Sequence, residues 1–287
     1  MREKTTPFLK QLLDIEAIRK QYLINENPIK VTVSYNDPLM EDSHEVVKGL
    51  VHKYRNRALI KVSYQCAAHC RFCTRIRQIG NKEGTLNSIN IDAIVDYLQK
   101  HPEIDDVILS GGDPLYTPKL TVEVLEKIKQ INSIKVIRIG TRMPFHAPLA
   151  FNNAVFNNLF NLIKEISKQR PFYVLVHIEH PSELVPESIS VLKMFKKLGV
   201  TLLSQTVHLK DINDDVDVLA TMFKELYYLG VIPYYLYQCD NVKGLEHFLV
   251  DKEKAKAIYS QLRTKLSGIA TPLLVEDIEN GYGKIPI

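Results

Sequence analysis

From Ala58 onward the chain alternates short β-branched runs with longer amphipathic ones, and this rhythm restricts the possible folds more than any other feature. Residues 58–63, 106–109, 135–140, 172–178, 201–206 and 233–237 read as strands. Helical patterns fill the gaps near 91–100, 121–131, 154–168, 186–198, 216–229 and 252–266. Strands alternating with helices of this length imply βαβ units and a parallel sheet. Six such units are too few to close an eight-fold barrel, so the expectation is an α/β fold with an open, partial (β/α)6 barrel. Segment 1–57 is polar and irregular, with a helix expected near 7–22 and a loop over 36–43. The barrel is assigned to 58–270 and a separate C-terminal segment to 271–287.

In such an architecture the chemistry collects at the C-terminal ends of the strands, and the unusual residues of this chain fall there. The first strand is followed by Cys66-Ala-Ala-His-Cys70-Arg-Phe-Cys73, a C-x3-C-x2-C spacing. A [4Fe–4S] cluster normally takes four cysteine ligands. Three close cysteines therefore leave one iron open, as a radical enzyme needs in order to chelate and reductively cleave S-adenosylmethionine. The other reading is a Cys3His zinc site that includes His69. Zinc sites usually pair two knuckles, and no second C-x2-C or H-x3-H appears. The fourth cysteine, Cys239, lies far downstream. Phe72 suits an apolar lid over a cluster or plain core packing.

The second strand ends in Ser110-Gly111-Gly112-Asp113-Pro114. Adjacent glycines let backbone approach a ligand with no Cβ between, and such an edge can accept the amino group of a methionine moiety. A tight turn is the plainer alternative. Gly140-Thr-Arg142 ends the third strand, His177 the fourth, Gln205 the fifth and Asp240 the sixth. Near the C-terminus, Lys284 follows a glycine-rich bend, a setting suited to a Schiff base with pyridoxal phosphate. Taken without further context, a solvated lysine on a frayed tail is the more usual reading. Asp240 and Asp277 are costly at half-buried strand ends unless a cation pairs with them; helix capping or a structural salt bridge are their ordinary roles.

Composition limits the partners. The 287 residues are 45% hydrophobic and 24% charged, as in a soluble protein with a sizeable core. No apolar run reaches the roughly 18 residues of a membrane span, and the N-terminus lacks the apolar stretch of a signal peptide. A cytoplasmic location is expected, where a disulfide framework has no place. The net charge of +4 comes from scattered lysines, which argues against nucleic-acid binding.

These residues together resemble the PLP-dependent radical S-adenosylmethionine aminomutases, specifically lysine 2,3-aminomutase and its shorter bacterial relatives, among them the type that makes (R)-β-lysine for elongation factor P. The resemblance runs from about Asp37 to Ile287. It rests on Gly49-Leu-Val-His-Lys-Tyr-Arg-Asn-Arg57, the cysteine loop with Thr74-Arg75, 110–115, Arg138-Ile-Gly-Thr-Arg142, Pro233-Tyr-Tyr-Leu-Tyr-Gln-Cys-Asp240 and Gly283-Lys284-Ile-Pro286.

The resemblance implies that Cys66, Cys70 and Cys73 hold the [4Fe–4S] cluster. Ser110, Gly111, Gly112 and Asp113, with His177 and Gln205, would lie along S-adenosylmethionine. Lys284 would bind PLP covalently, with Lys53 and Arg57 at its phosphate. Arg75 would grip the substrate carboxylate, where a planar guanidinium makes two parallel bonds. Asp240 and Asp277 would bracket the ε-ammonium of lysine, whose α-amino group moves to Cβ. An aminomutase for another amino acid such as glutamate is the alternative, disfavoured by like-charge repulsion from the two carboxylates; a homologue that keeps only the iron–sulfur and S-adenosylmethionine site is another. A donor such as flavodoxin or ferredoxin and possible homo-oligomerisation also follow. No structural zinc is expected, because the C-terminal cysteines of long family members have no counterpart and Asp215 stands where another zinc cysteine would fall.

Overall fold

The computed structural model describes residues 3–24, 35–278 and 283–287. Among them ten strands form one sheet, arranged in chain order. β1 (Glu45–Val47) runs antiparallel to β2 (Leu50–Tyr54), and β2 antiparallel to β3 (Arg57–Ser63). From β3 onward the neighbours are parallel: β4 (Asp106–Gly111), β5 (Val136–Thr141), β6 (Phe172–His177), β7 (Thr201–His208), β8 (Ile232–Gln238) and β9 (Leu273–Asp277). β10 (Lys284–Pro286) turns back antiparallel to β9. The outermost strands do not pair with each other, so the sheet is an open, partial barrel.

All six strands expected from the alternating runs are present, and so are the helices between them. The helix Ser88–Lys100 shows the local logic. Asn87 and Asn90 form a reciprocal capping box, and Ile91, Ile94 and Leu98 bury one face at helical spacing. Pro118 and Pro186 open the helices Pro118–Ile128 and Pro186–Lys196, where their missing N–H groups cost nothing. Asp215 and Asp251 cap Val216–Tyr228 and Lys252–Lys265. Asp215, the position read against a zinc ligand, thus receives the N–H groups of Asp217 and Val218.

Beyond the six expected strands, β1, β2, β9 and β10 extend both edges. β1 and β2 lie in the segment read as irregular. β1 is tied down by Glu45, which forms an ion pair with the fully buried Lys61 of β3. The helix expected over 7–22 is two pieces, Pro7–Lys10 and Glu16–Tyr22. Leu9, Ile18 and Tyr22 from these pieces pack together against Ala68 in the cysteine loop.

Strand alternation sorts the sheet into two faces. Val107 and Leu109 of β4, with Ile137 and Ile139 of β5, are fully buried in the main core under the helices. The intervening Ile108, Ser110, Arg138 and Gly140 point the other way and line a cavity inside the barrel.

Candidate active site

That cavity has a volume of about 520 Å³. Every residue singled out from the sequence as a site candidate borders it. The loop after β3 brings the three cysteines, β4 brings Ser110 to Asp113, β6 and β7 bring His177 and Gln205, and β8 is followed by Asp240. β9 ends in Asp277, β10 begins with Lys284, and Lys53 and Arg57 come from β2 and β3. Residues 279–282, which carry part of the glycine-rich bend before Lys284, lie outside the described residues.

The cysteine loop is held from both sides. On one, His69 N donates to Lys4 O (2.9 Å) and Arg71 N to Gln21 O (2.8 Å). On the other, Phe72 packs with Leu209, Ile212 and Phe248, so it is core and cavity wall at once. All three cysteines are free thiols. Burial pushes each thiol up, Cys70 to about 12. Such thiols ionise only when a strong cation binds them, as metal binding requires. Among the described residues no three His, Cys, Asp or Glu side chains converge on a single metal ion.

The glycines at the end of β4 border the cavity and also fit closely against the neighbouring chain. A Cβ at Gly112 would meet Gln65 O at 2.3 Å, and one at Gly111 would meet Ser63 O at 2.6 Å. Their bareness lets β4 press against the base of the cysteine loop. Asp113 is also engaged internally. Its carboxylate accepts from Thr141 Oγ1 (2.9 Å), Leu115 N (3.0 Å), Arg142 N (2.7 Å) and Met143 N (3.1 Å). It therefore ties the ends of β4 and β5 together, although it borders the cavity.

Arg75 donates from Nε and Nη2 to the two carboxylate oxygens of Glu41, at 2.7 and 2.5 Å, and from Nη1 to Ser110 Oγ at 3.3 Å. Glu41 occupies one edge of the fork; the two remaining N–H groups of the five can take a further acceptor. Burial raises the Glu41 carboxyl, but the guanidinium more than reverses this and holds it below the usual range. Glu41 was not legible as a site residue, because it sits in an irregular loop with no motif around it.

At the opposite side, Lys284 and Asp277 form an ion pair, and Lys53 Nζ lies 3.9 Å from the other Asp277 oxygen. That oxygen, Oδ1, is buried without a hydrogen-bond donor. Burial, then the charge of Asp277, pushes the Asp240 carboxyl up to about 7, against the pull of Lys284 and Lys53. Two neighbouring carboxylates, one with an oxygen buried without a donor, suit an ammonium ligand.

Lys53 also donates to Leu39 O (3.2 Å), so its charge serves Asp277 and the loop at 39 as well as any phosphate. Arg57 stacks over Tyr54, 4.1 Å from the ring centroid, and stands beside Gly283. Arg138, held by Asp106 (2.8 Å), borders the same cavity and went unassigned in the sequence. His177 and Gln205 are register partners across β6 and β7, and Gln205 Nε2 donates to Tyr237 O–H at 2.8 Å. Tyr234, Tyr235 and Tyr237 complete this wall.

The Radical SAM superfamily model matches residues 60–222 of the chain. An L-lysine 2,3-aminomutase of Fusobacterium nucleatum is 36% identical, over 100% of this chain and 67% of its own length. The L-lysine 2,3-aminomutase of Clostridium subterminale is 34% identical over 100% and 69%, and that of Escherichia coli 34% over 95% and 78%. A radical SAM methyltransferase from Sphaerobacter thermophilus shares the fold, with a TM-score of 0.54 at 18% identity, covering 81% of this chain and 69% of that one. Membership of the superfamily carries a [4Fe–4S] cluster and S-adenosylmethionine with it, and the three partly exposed thiols that border the cavity fit that cluster. The chain belongs to the radical SAM superfamily and, within it, to the lysine 2,3-aminomutase family.

Proposed function

We propose that the protein is a PLP-dependent aminomutase that moves the α-amino group of L-lysine to Cβ, giving β-lysine. One observation carries this reading. Lys284, Asp277 and Asp240 border the same cavity as the three cysteines, with the Lys284 amine paired to Asp277, whose other oxygen is buried without a donor, and the Asp240 carboxyl nearby. The name shared by the relatives points the same way.

When bound, the cluster and S-adenosylmethionine supply hydrogen abstraction, and PLP supplies the carbonyl and the conjugated ring for nitrogen migration. Cys66, Cys70 and Cys73 hold the cluster. The Ser110 to Asp113 edge, His177 and Gln205 would lie along S-adenosylmethionine. Lys284 offers its amine to PLP, with Arg57 opposing the phosphate and Lys53 close by. Arg75 presents its unused edge to the substrate carboxylate, held in orientation by Glu41. Asp240 and Asp277 take the ε-ammonium, which replaces Lys284 as the partner of Asp277. The two carboxylates repel an anionic side chain, which disfavours glutamate. Enclosure by β strands and the cysteine loop orients the reactants and excludes water. Flavodoxin or ferredoxin suits the role of electron donor.

The test is anaerobic incubation of reconstituted protein with L-lysine, S-adenosylmethionine, PLP and a reductant, followed by chiral analysis of the amino acids. β-Lysine is the expected product. Lysine returned unchanged, while another amino acid is isomerised, overturns the substrate assignment.

A further inference from the structure

Arg142, at the end of β5, has no role in the reaction outlined above. It is 7% exposed, and its guanidinium lies against the cysteine loop. Nη1 donates to Cys70 Sγ at 3.4 Å, while Nη2 donates to Glu183 Oε2 at 2.6 Å and Gln21 Oε1 at 2.9 Å. Glu179 Oε1 stands 3.8 Å from Nη1, and Nε has no partner. The ring of Phe72 covers it at 5.1 Å and that of Tyr22 at 5.8 Å. On the same sulfur, His146 Nε2 lies at 3.7 Å.

This guanidinium cannot swing away. Its backbone N–H is bound by Asp113 at 2.7 Å. Glu183 is itself pinned by the N–H groups of Glu179 and His180, at 2.9 and 3.0 Å. A cation so placed, permanently protonated and screened from water by two aromatic faces, acts at short range with little dielectric loss. The nearest charge to the Cys70 sulfur is therefore a fixed positive one, delivered through an N–H to sulfur hydrogen bond.

We propose that Arg142 sets the reduction potential of the cluster on the cysteine loop, holding it higher than the three thiolates alone would. Adding one electron from a low-potential donor makes the cluster more negative. Hydrogen bonds and positive charge at its sulfurs stabilise that reduced form. The electron resides on the cluster and the proton stays on the guanidinium. Arg142 is a positioning and tuning residue; it touches the ligand Cys70 and no reacting atom. The inference rests on the reading that Cys66, Cys70 and Cys73 hold a [4Fe–4S] cluster.

The experiment uses the full chain reconstituted anaerobically with iron and sulfide, without S-adenosylmethionine. EPR-monitored titration with dithionite gives the midpoint for the unsubstituted protein, for Arg142→Lys and for the double variant Arg142→Gln/Glu183→Gln, which removes the charge pair together. The double variant should reduce less readily by about tenfold in the equilibrium constant, 59 mV for a one-electron couple, with Arg142→Lys between. Full iron and sulfide content with an unchanged midpoint in both variants overturns the proposal. If neither variant holds a cluster, the unsubstituted protein labelled with 15N-arginine decides. A 15N coupling to the reduced cluster in pulsed EPR supports the contact, and its absence overturns it. Failure of the unsubstituted chain to assemble any iron–sulfur chromophore sinks the cluster reading itself, a result distinct from an unchanged midpoint.

Discussion

Lys284 and Asp277 are direct cross-strand partners in the β9–β10 pair, and their side chains form an ion pair in the cavity. Opposed residues in an antiparallel pair hold their Cβ atoms about 4.5–5.5 Å apart. Strand register therefore places the amine beside the carboxylate, with Lys53 of β2 at 3.9 Å as a second cation. Lys284→Ala should abolish PLP retention, read as loss of the borohydride-fixed adduct by mass spectrometry. It should also cost about 1–2 kcal/mol in urea denaturation, less than a fully buried pair, because Lys284 keeps part of its surface in water and Lys53 remains. An adduct retained in the variant would place the reactive amine elsewhere.

Asp240 makes the ligand-free protein sensitive to pH near neutrality. Its folded-state carboxyl titrates at about 7, raised by burial and Asp277, whereas an unfolded aspartate titrates near 3.9. The folded chain thus binds a proton that the unfolded chain releases. Stability falls as pH rises between about 4 and 7, by the sign of the linkage relation. Asp240→Asn should flatten that slope in urea midpoints measured across the range. Lysine affinity should rise through pH 7 as the carboxylate ionises, and norleucine, which lacks the ammonium, should show no such rise.

Glu41 should matter to both stability and substrate binding. Its side chain is 7% exposed and that of Arg75 17%, so removing the acid leaves a guanidinium without its main partner. Glu41→Ala should lower stability by about 3 kcal/mol in chemical denaturation. In the aminomutase assay the lysine KM should rise, because Arg75 loses the carboxylate that orients its fork. A KM unchanged in a folded variant would assign Glu41 to stability alone.

Gly112→Ala tests the close approach of β4 to the cysteine loop. The added methyl would sit 2.3 Å from Gln65 O and 2.7 Å from Gln65 N, both backbone atoms that have little room to move. The expected outcome is reduced iron and sulfide uptake on reconstitution, with far-ultraviolet circular dichroism preserved. Normal uptake would show that the loop base tolerates displacement.

The parallel core was legible in the sequence because strand and helix patterns repeat locally, with β-branched runs, apolar spacing, prolines at helix starts and aspartates at caps. β1, β2, β9 and β10 were not, since pieces of three to five residues carry little periodicity and exist by pairing with a neighbour. The glycine pair at the end of β4, read as a ligand edge or a tight turn, borders the cavity and also abuts backbone of β3 and of the residues after it, a relation that spans more than forty residues of chain. Glu41 escaped for the same reason, and so did the partner of Arg142, because nothing near them in sequence announces Arg75 or Cys70.

The sequence by itself determined the cysteine spacing, the open barrel and the chemical types brought to its strand ends, because each is written in short-range order. Tertiary structure alone decided which charges meet. Register on β10 set Lys284 against Asp277, burial raised Asp240, and bonds to Gln21 and Glu183 hold Arg142 against Cys70. Those are distances between residues remote in the chain, and in a low-dielectric interior such distances govern charge and reactivity.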